Sequence, residues 1–195
     1  MARPWCAPAT RRSGAALADP LILTLRLDAA SQTWFDRLRR AHFPPERNFL
    51  AAHLTLFHAL PGAERAAIEA RLRAVAAAEA PFPLEVGPPF PLGRGVAFRL
   101  FSDKLQFLHA GLAAGWRDWL GPQDRQRLRP HVTVQNKVAP EAARVLQGEL
   151  AAGFSPFVAT GEGFQLWHYR GGPWEEAGEF GFEGGSNQVN RDQSG

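Results

Sequence analysis

The chain has 195 residues and 45% hydrophobic side chains, enough for one domain with a sizeable core. Its formal net charge is +3, but Arg3, Arg11 and Arg12 stand against only Asp19 in residues 1–19, so the remaining body is close to neutral and lacks the basic stripe that long duplex nucleic acid requires. No apolar run is long enough to span a bilayer, and the single cysteine, Cys6, excludes an intrachain disulfide framework or a thiolate metal cluster.

Residues 1–19 are rich in Ala and Arg, without an apolar core or amphipathic period, and read as a disordered arm. Leu21–Leu27 is apolar almost throughout, the pattern of a buried strand. Asp28 or Ser31 caps a helix to about Ala41, with Trp34, Phe35 and Leu38 inward, and Phe43-Pro44-Pro45 stops it. Asn48–Phe57 reads as strand. Pro61-Gly62 opens an Ala-rich helix to about Ala80, carrying Ile68, Leu72 and Val75 at helical spacing. Phe82–Val86 and Gly95–Phe101 are strands around a Gly/Pro turn, followed by a helix from Ser102 or Asp103 to about Leu120. After a polar loop, His131–Gln135 is strand and Pro140–Ala151 helix, with Pro in its first turn. Phe154–Val158, Gly163–Tyr169 and Trp174–Phe182 close a domain of residues 20–183. The small polar tail, 184–195, reads as disordered.

Two of these strands say nearly the same thing. His53-Leu54-Thr55-Leu56 and His131-Val132-Thr133-Val134 lie 78 positions apart. A strand alternates with period two, so His and Thr of each copy share one face while Leu54, Leu56, Val132 and Val134 point into a core. With six His and six Thr in the chain, two His-x-Thr coincidences have odds on the order of one per cent, so the pair outweighs the reading of two ordinary half-buried strands. Each copy is followed by Pro, a helix and a strand, which predicts a pseudo-two-fold α+β domain: two antiparallel sheet halves facing a central cleft, helices outside. No Gly-rich strand-to-helix turn supports a doubly wound fold.

Two imidazoles and two hydroxyls in one cleft suit a phosphodiester. An unperturbed pKa of about 6.5 lets one imidazole be neutral and the other protonated near pH 7. One would take a proton from the attacking oxygen and the other give one to the leaving oxygen, with the Thr hydroxyls donating to the non-bridging oxygens. No metal is then needed, and no HExxH, HxH or Cys pair is present. No nucleophile-elbow motif surrounds Ser102 or Ser155.

The tetrapeptides HLTL and HVTV resemble the paired motifs of the 2H phosphoesterase superfamily, which includes 2′-5′ RNA ligase-like proteins and RNA 2′,3′-cyclic phosphodiesterases; the resemblance covers about residues 20–182. It implies a bilobal fold and metal-independent, cofactor-free hydrolysis or transesterification of 2′,3′-cyclic phosphates. It also implies His53 and His131 as the catalytic pair, the first as acid and the second as base, with Thr55 and Thr133 binding phosphate. The expected partner is a small phosphorylated nucleotide or an RNA terminus, handled by a cytoplasmic monomer without membrane contact. The alternatives are a nucleotide- or RNA-end-binding module without turnover and an ATP-independent 2′-5′ RNA ligase.

Nearby residues are candidates for substrate contact. Arg129 precedes Pro130, and Lys137 shares the Thr133 face if the strand persists. Phe57 falls on the His53 and Thr55 face by alternation, and Phe90, Phe98, Trp167 and Tyr169 lie on or near strands that border a cleft. Phe57 and Tyr169 lead among them for stacking a base. His58, at an odd offset from His53, is expected to face away.

Overall fold

The computed structural model describes residues 19–184. Apart from Asp19 and Gly184, the arm and tail expected to be disordered lie outside the described residues. Seven strands and four helices follow in the order β1 (Leu21–Leu27), α1 (Ala29–His42), β2 (Leu54–Leu60), α2 (Arg65–Ala78), β3 (Phe82–Pro91), β4 (Val96–Phe101), α3 (Asp103–Gly115), β5 (His131–Gln135), α4 (Pro140–Ala152), β6 (Phe157–His168) and β7 (Glu175–Gly181). Among the described residues no helix is long and apolar enough to cross a membrane.

The order is a repeat, β1-α1-β2-α2-β3 and then β4-α3-β5-α4-β6, with β7 appended. All strands form one antiparallel sheet, β1-β2-β5-β4-β3-β6-β7, closed on itself by a β1–β6 pairing. Each copy sends its last strand into the other: β3 pairs with β4, and β6 pairs with β1. The approximate two-fold axis is visible in the register. Leu54 pairs with Val132, each the residue after its motif His. On the opposite side of the ring β3 and β6 pair about Leu84↔Ala159.

Three local features depart from the pattern expected of the sequence. The strand foreseen over Asn48–Phe57 begins only at Leu54, because a 3-10 turn at Pro45–Arg47 precedes it and the backbone of Ala52 bonds to helix side chains rather than to a strand. β3 continues to Pro91, so the turn shrinks to residues 92–95, with Gly93 at φ 73. Pro88 has no N–H to donate, and it sits where the β3–β4 register slips, so no ladder bond is lost there. The third is β6, one strand through Gly161 and Gly163 where a break was expected. A Cβ at Gly161 would meet Leu25, Leu84 and Phe82, all at 3.2 Å, so the glycine marks crowding between the two halves and not a turn.

Helix positions follow their apolar stripes. Trp34 and Phe35 of α1 pack edge-on or tilted against Phe98 and Phe157, with centroids 5.0–6.3 Å apart. Asp28 caps α1 through the Ser31 N–H at 2.9 Å and accepts the Thr160 N–H at 2.7 Å, tying the start of the helix to β6. Burial would raise its carboxyl, but these N–H donors outweigh it and hold the pKa below the usual value.

Candidate active site

β2 and β5 touch at a single residue pair and then part, and the site sits where they do. The antiparallel register around Leu54↔Val132 sets His53 across from Thr133 and Thr55 across from His131. Leu54 and Val132 are fully buried beneath, whereas all four motif side chains are half-buried on the other face. His53 and His131 are thus diagonal neighbours about the Leu54–Val132 pair.

The two imidazoles are oriented alike. His53 Nδ1 lies 2.8 Å from the Ala51 carbonyl and His131 Nδ1 2.8 Å from the Arg129 carbonyl, each two residues back along its own chain. A carbonyl only accepts, so Nδ1 carries the hydrogen and Nε2 is left with a lone pair for chemistry in the cleft. Their electrostatics differ. Burial pushes His53 down to about 4; the Ala51 carbonyl opposes this, and the nearby Arg39 guanidinium adds to it.

Helix α1 holds both motifs in place. Asp36 accepts the Ala52 N–H at 2.7 Å and Gln32 donates to the Ala52 carbonyl at 2.8 Å, fixing the residue before His53. Arg39 is buried and donates to Asn48 Oδ1 at 2.9 Å, the Leu50 carbonyl at 3.0 Å and the Thr133 carbonyl at 2.9 Å. Its guanidinium bridges the segment before one motif to the backbone of the other. Sequence reasoning missed it, although a signal existed: Ser31, Phe35 and Arg39 are spaced by four and form the buried stripe of α1.

Two cavities flank the pair. One, of about 400 Å³, is lined by His53, Gln165, Trp167, Trp174 and Phe49. The Trp174 ring is 4.6 Å from that of His53 and 6.1 Å from that of Trp167, whose Nε1 donates to Thr24 at 2.9 Å. Trp174, in the loop before β7, carried no signal in the sequence. The other, of about 230 Å³, holds Thr55, His131, His58 and Arg129. Phe90 borders His131 edge-on at 6.2 Å, with Arg99 4.7 Å above the Phe90 ring.

Several expected contacts are corrected. β2 has an extra residue, Leu56, opposite the Leu23–Thr24 step of β1, so Leu56 and Phe57 both turn inward. Phe57 is fully buried, stacked on His109 of α3 at 4.6 Å and against Trp116, and does not face the cleft. The same bulge brings His58, expected to face away, to the cavity that holds Thr55 and His131. Lys137 leaves the Thr133 face because β5 ends at Gln135 and the backbone turns at Lys137, φ 65. Phe98 is a core residue. Tyr169 lies past the end of β6, its N–H bonded to the Pro20 carbonyl, and lines neither flanking cavity.

The ring of six antiparallel strands with a duplicated His-x-Thr at its dyad defines a class of pseudo-two-fold α+β proteins, and comparison makes the class specific. Residues 27–173 match the family model of the 2′-5′ RNA ligase superfamily, and the chain belongs to that superfamily. Among solved structures it is similar to TT0787 of Thermus thermophilus (TM-score 0.62, 20% identity, covering 85% of this chain and 99% of that one). A phosphoesterase structure matches with TM-score 0.58 and 21% identity over 85% of this chain and 98% of the other. E. coli LigT in complex with 3′-AMP matches with TM-score 0.56 and 19% identity over 84% and 98%. The same protein in complex with NADP+ gives TM-score 0.56 and 19% identity over 86% and 99%. No curated protein matches the chain.

Proposed function

We propose that the protein is a metal-independent phosphodiesterase that opens 2′,3′-cyclic phosphates of RNA ends or nucleotides by two-histidine acid–base catalysis. The observation that carries the reading is the matched pair of imidazoles, each with Nδ1 held by its own i−2 carbonyl and Nε2 left for the cleft, flanked across the strands by two threonines. Water attacks phosphorus, and Nε2 of one imidazole takes its proton. The bond from phosphorus to one ribose oxygen breaks, and the other imidazolium protonates that oxygen. Thr55 and Thr133 donate to the non-bridging oxygens. The tryptophan-walled cavity beside His53 offers a stacking surface for a base. That E. coli LigT has been solved with 3′-AMP and NADP+ supports a small phosphorylated ligand.

His53 serves as the acid and His131 as the base. Because burial keeps free His53 neutral at neutral pH, its proton arrives with the anion, whose charge offsets that of the surrounding cations. Incubation with each nucleoside 2′,3′-cyclic phosphate in EDTA tests the reaction. Opening to a monophosphate supports it, whereas tight binding without turnover, or strict dependence on added Mg²⁺, overturns it.

A further inference from the structure

Beyond Thr55 and His131, on the flank away from the tryptophans, three cationic or donor groups converge that the reaction above leaves unused. His58, Arg127 and Arg129 line one cavity of about 230 Å³ with the motif residues themselves. His58 is built into place. Its Nδ1 and its backbone N–H both donate to Asp124 Oδ1 at 2.9 Å, and the Ala59 N–H donates to Oδ2 at 3.0 Å. The Asp124 side chain is only 3% exposed. Burial would raise its carboxyl, but the His58 and Ala59 donors outweigh that and hold its pKa below the usual value. With Nδ1 committed to Asp124, His58 keeps Nε2 for a ligand.

Neither Arg127 nor Arg129 has a carboxylate or a side-chain hydrogen-bond partner among the described residues, although both are long, exposed cations. Asp124 is the acid in this cavity, and its oxygens are occupied by N–H donors. A pocket with unpaired guanidinium groups, adjoining a phosphate-handling pair, fits a second anion.

We propose that this cavity is a second phosphate subsite, taking the phosphate that follows the reacting one along the substrate. The proposal rests on the cyclic-phosphate reading. On a ribose 2′,3′-cyclic phosphate the base departs from C1′, beside C2′, while the 5′ substituent departs through C4′, beside C3′. The two diverge to either side of the reacting phosphorus, as the aromatic and the arginine-bearing cavities do around the imidazoles. The preferred substrate therefore carries a phosphate at its 5′ oxygen, either as a terminal group or as the internucleotide linkage of an RNA end.

The test compares adenosine 2′,3′-cyclic phosphate with its 5′-phosphorylated form and with a dinucleotide ending in the same cyclic phosphate, on the wild type and on Arg127→Ala. The second phosphate is expected to raise kcat/KM roughly tenfold, the scale of one charged hydrogen bond. Arg127→Ala removes most of the gain and leaves turnover of the 5′-hydroxyl nucleotide unchanged. A gain for the 5′-phosphate alone assigns a terminal phosphate, and a gain for the dinucleotide alone assigns the linkage. Equal kcat/KM for all three, or a preference that survives Arg127→Ala, overturns the subsite. Absence of any turnover counts against the reaction, and the subsite is then decided by calorimetry. Tighter binding of adenosine 3′,5′-bisphosphate than of adenosine 3′-phosphate upholds it, and equal affinity overturns it.

Discussion

At position 53 an imidazole is held neutral by its surroundings, and this has consequences that can be measured. His53→Ala or His131→Ala should each cost about 10²–10⁴-fold in turnover with a modest loss of binding, since each removes one partner of a proton transfer; near-full activity in either variant would remove that residue from the acid–base pair. The depressed pKa also links folding to pH. The unfolded chain protonates His53 near 6.5 and the folded chain near 4. Between those values the unfolded state binds more protons, so this group makes stability rise with pH from about 4 to about 6.5 and adds no slope above. His109, lowered by burial, contributes in the same direction, whereas Asp28 and Asp124 lose their stabilising contribution only at lower pH. Thermal unfolding of the wild type and His53→Gln at steps from about pH 4.5 to 7 isolates the difference, and the variant should show the shallower rise. With His53 as the acid, binding of 3′-AMP near pH 7 should draw a proton from solution. Calorimetry in two buffers of different ionisation enthalpy reads this, and identical heats would transfer the acid role to His131.

Among the elements, β2 and α1 decide how the site is assembled. One extra residue in β2 separates His53 and Thr55, on the cleft face, from Phe57 in the core. Phe57→Ala should therefore cost about 3–5 kcal/mol in urea unfolding, as a buried aromatic does. A variant of unchanged stability with weakened nucleotide binding would return the ring to the cleft. Arg39 of α1 is a positioning residue. Arg39→Met leaves the Leu50 and Thr133 carbonyls without this donor, at about 1–3 kcal/mol for each one left unsatisfied. Because one guanidinium spans both motifs, kcat should fall further than KM changes. Loss of stability with unaltered kcat would make its role structural only. Alternation within His131–Gln135 was enough to foresee how β5 presents His131 and Thr133. It failed in β2 because a bulge is set by the partner strand: the slip occurs opposite the Leu23–Thr24 step of β1.

For the molecule as a whole, the exchange of last strands makes the two repeats interdependent. β3 finds β4 and β6 only in the second copy, and β1 is covered on one edge by β6. Residues 19–91 expressed alone should therefore remain unfolded by circular dichroism and amide dispersion; a folded fragment would show that the halves are separate units. The repeat itself was legible in the recurrence of strand, motif, Pro, helix and strand, because period-two and period-3.6 patterning are local properties of the chain. That the copies swap β3 and β6 was not legible, because pairing partners lie far apart along the chain and apolar strands are alike as partners.

What the amino-acid order determined by itself was the pair of His-x-Thr strands, the α+β repeat and the chemistry that two imidazoles and two hydroxyls suit, since residue type and spacing carry all of it. Only the tertiary structure decided that the motifs meet at the dyad, that Arg39 spans them, that Trp174 walls one flank and that His58 and Arg127 occupy the other. Each of these depends on a register, a bulge or a loop path set by long-range packing, where a shift of one residue turns a side chain from core to cleft.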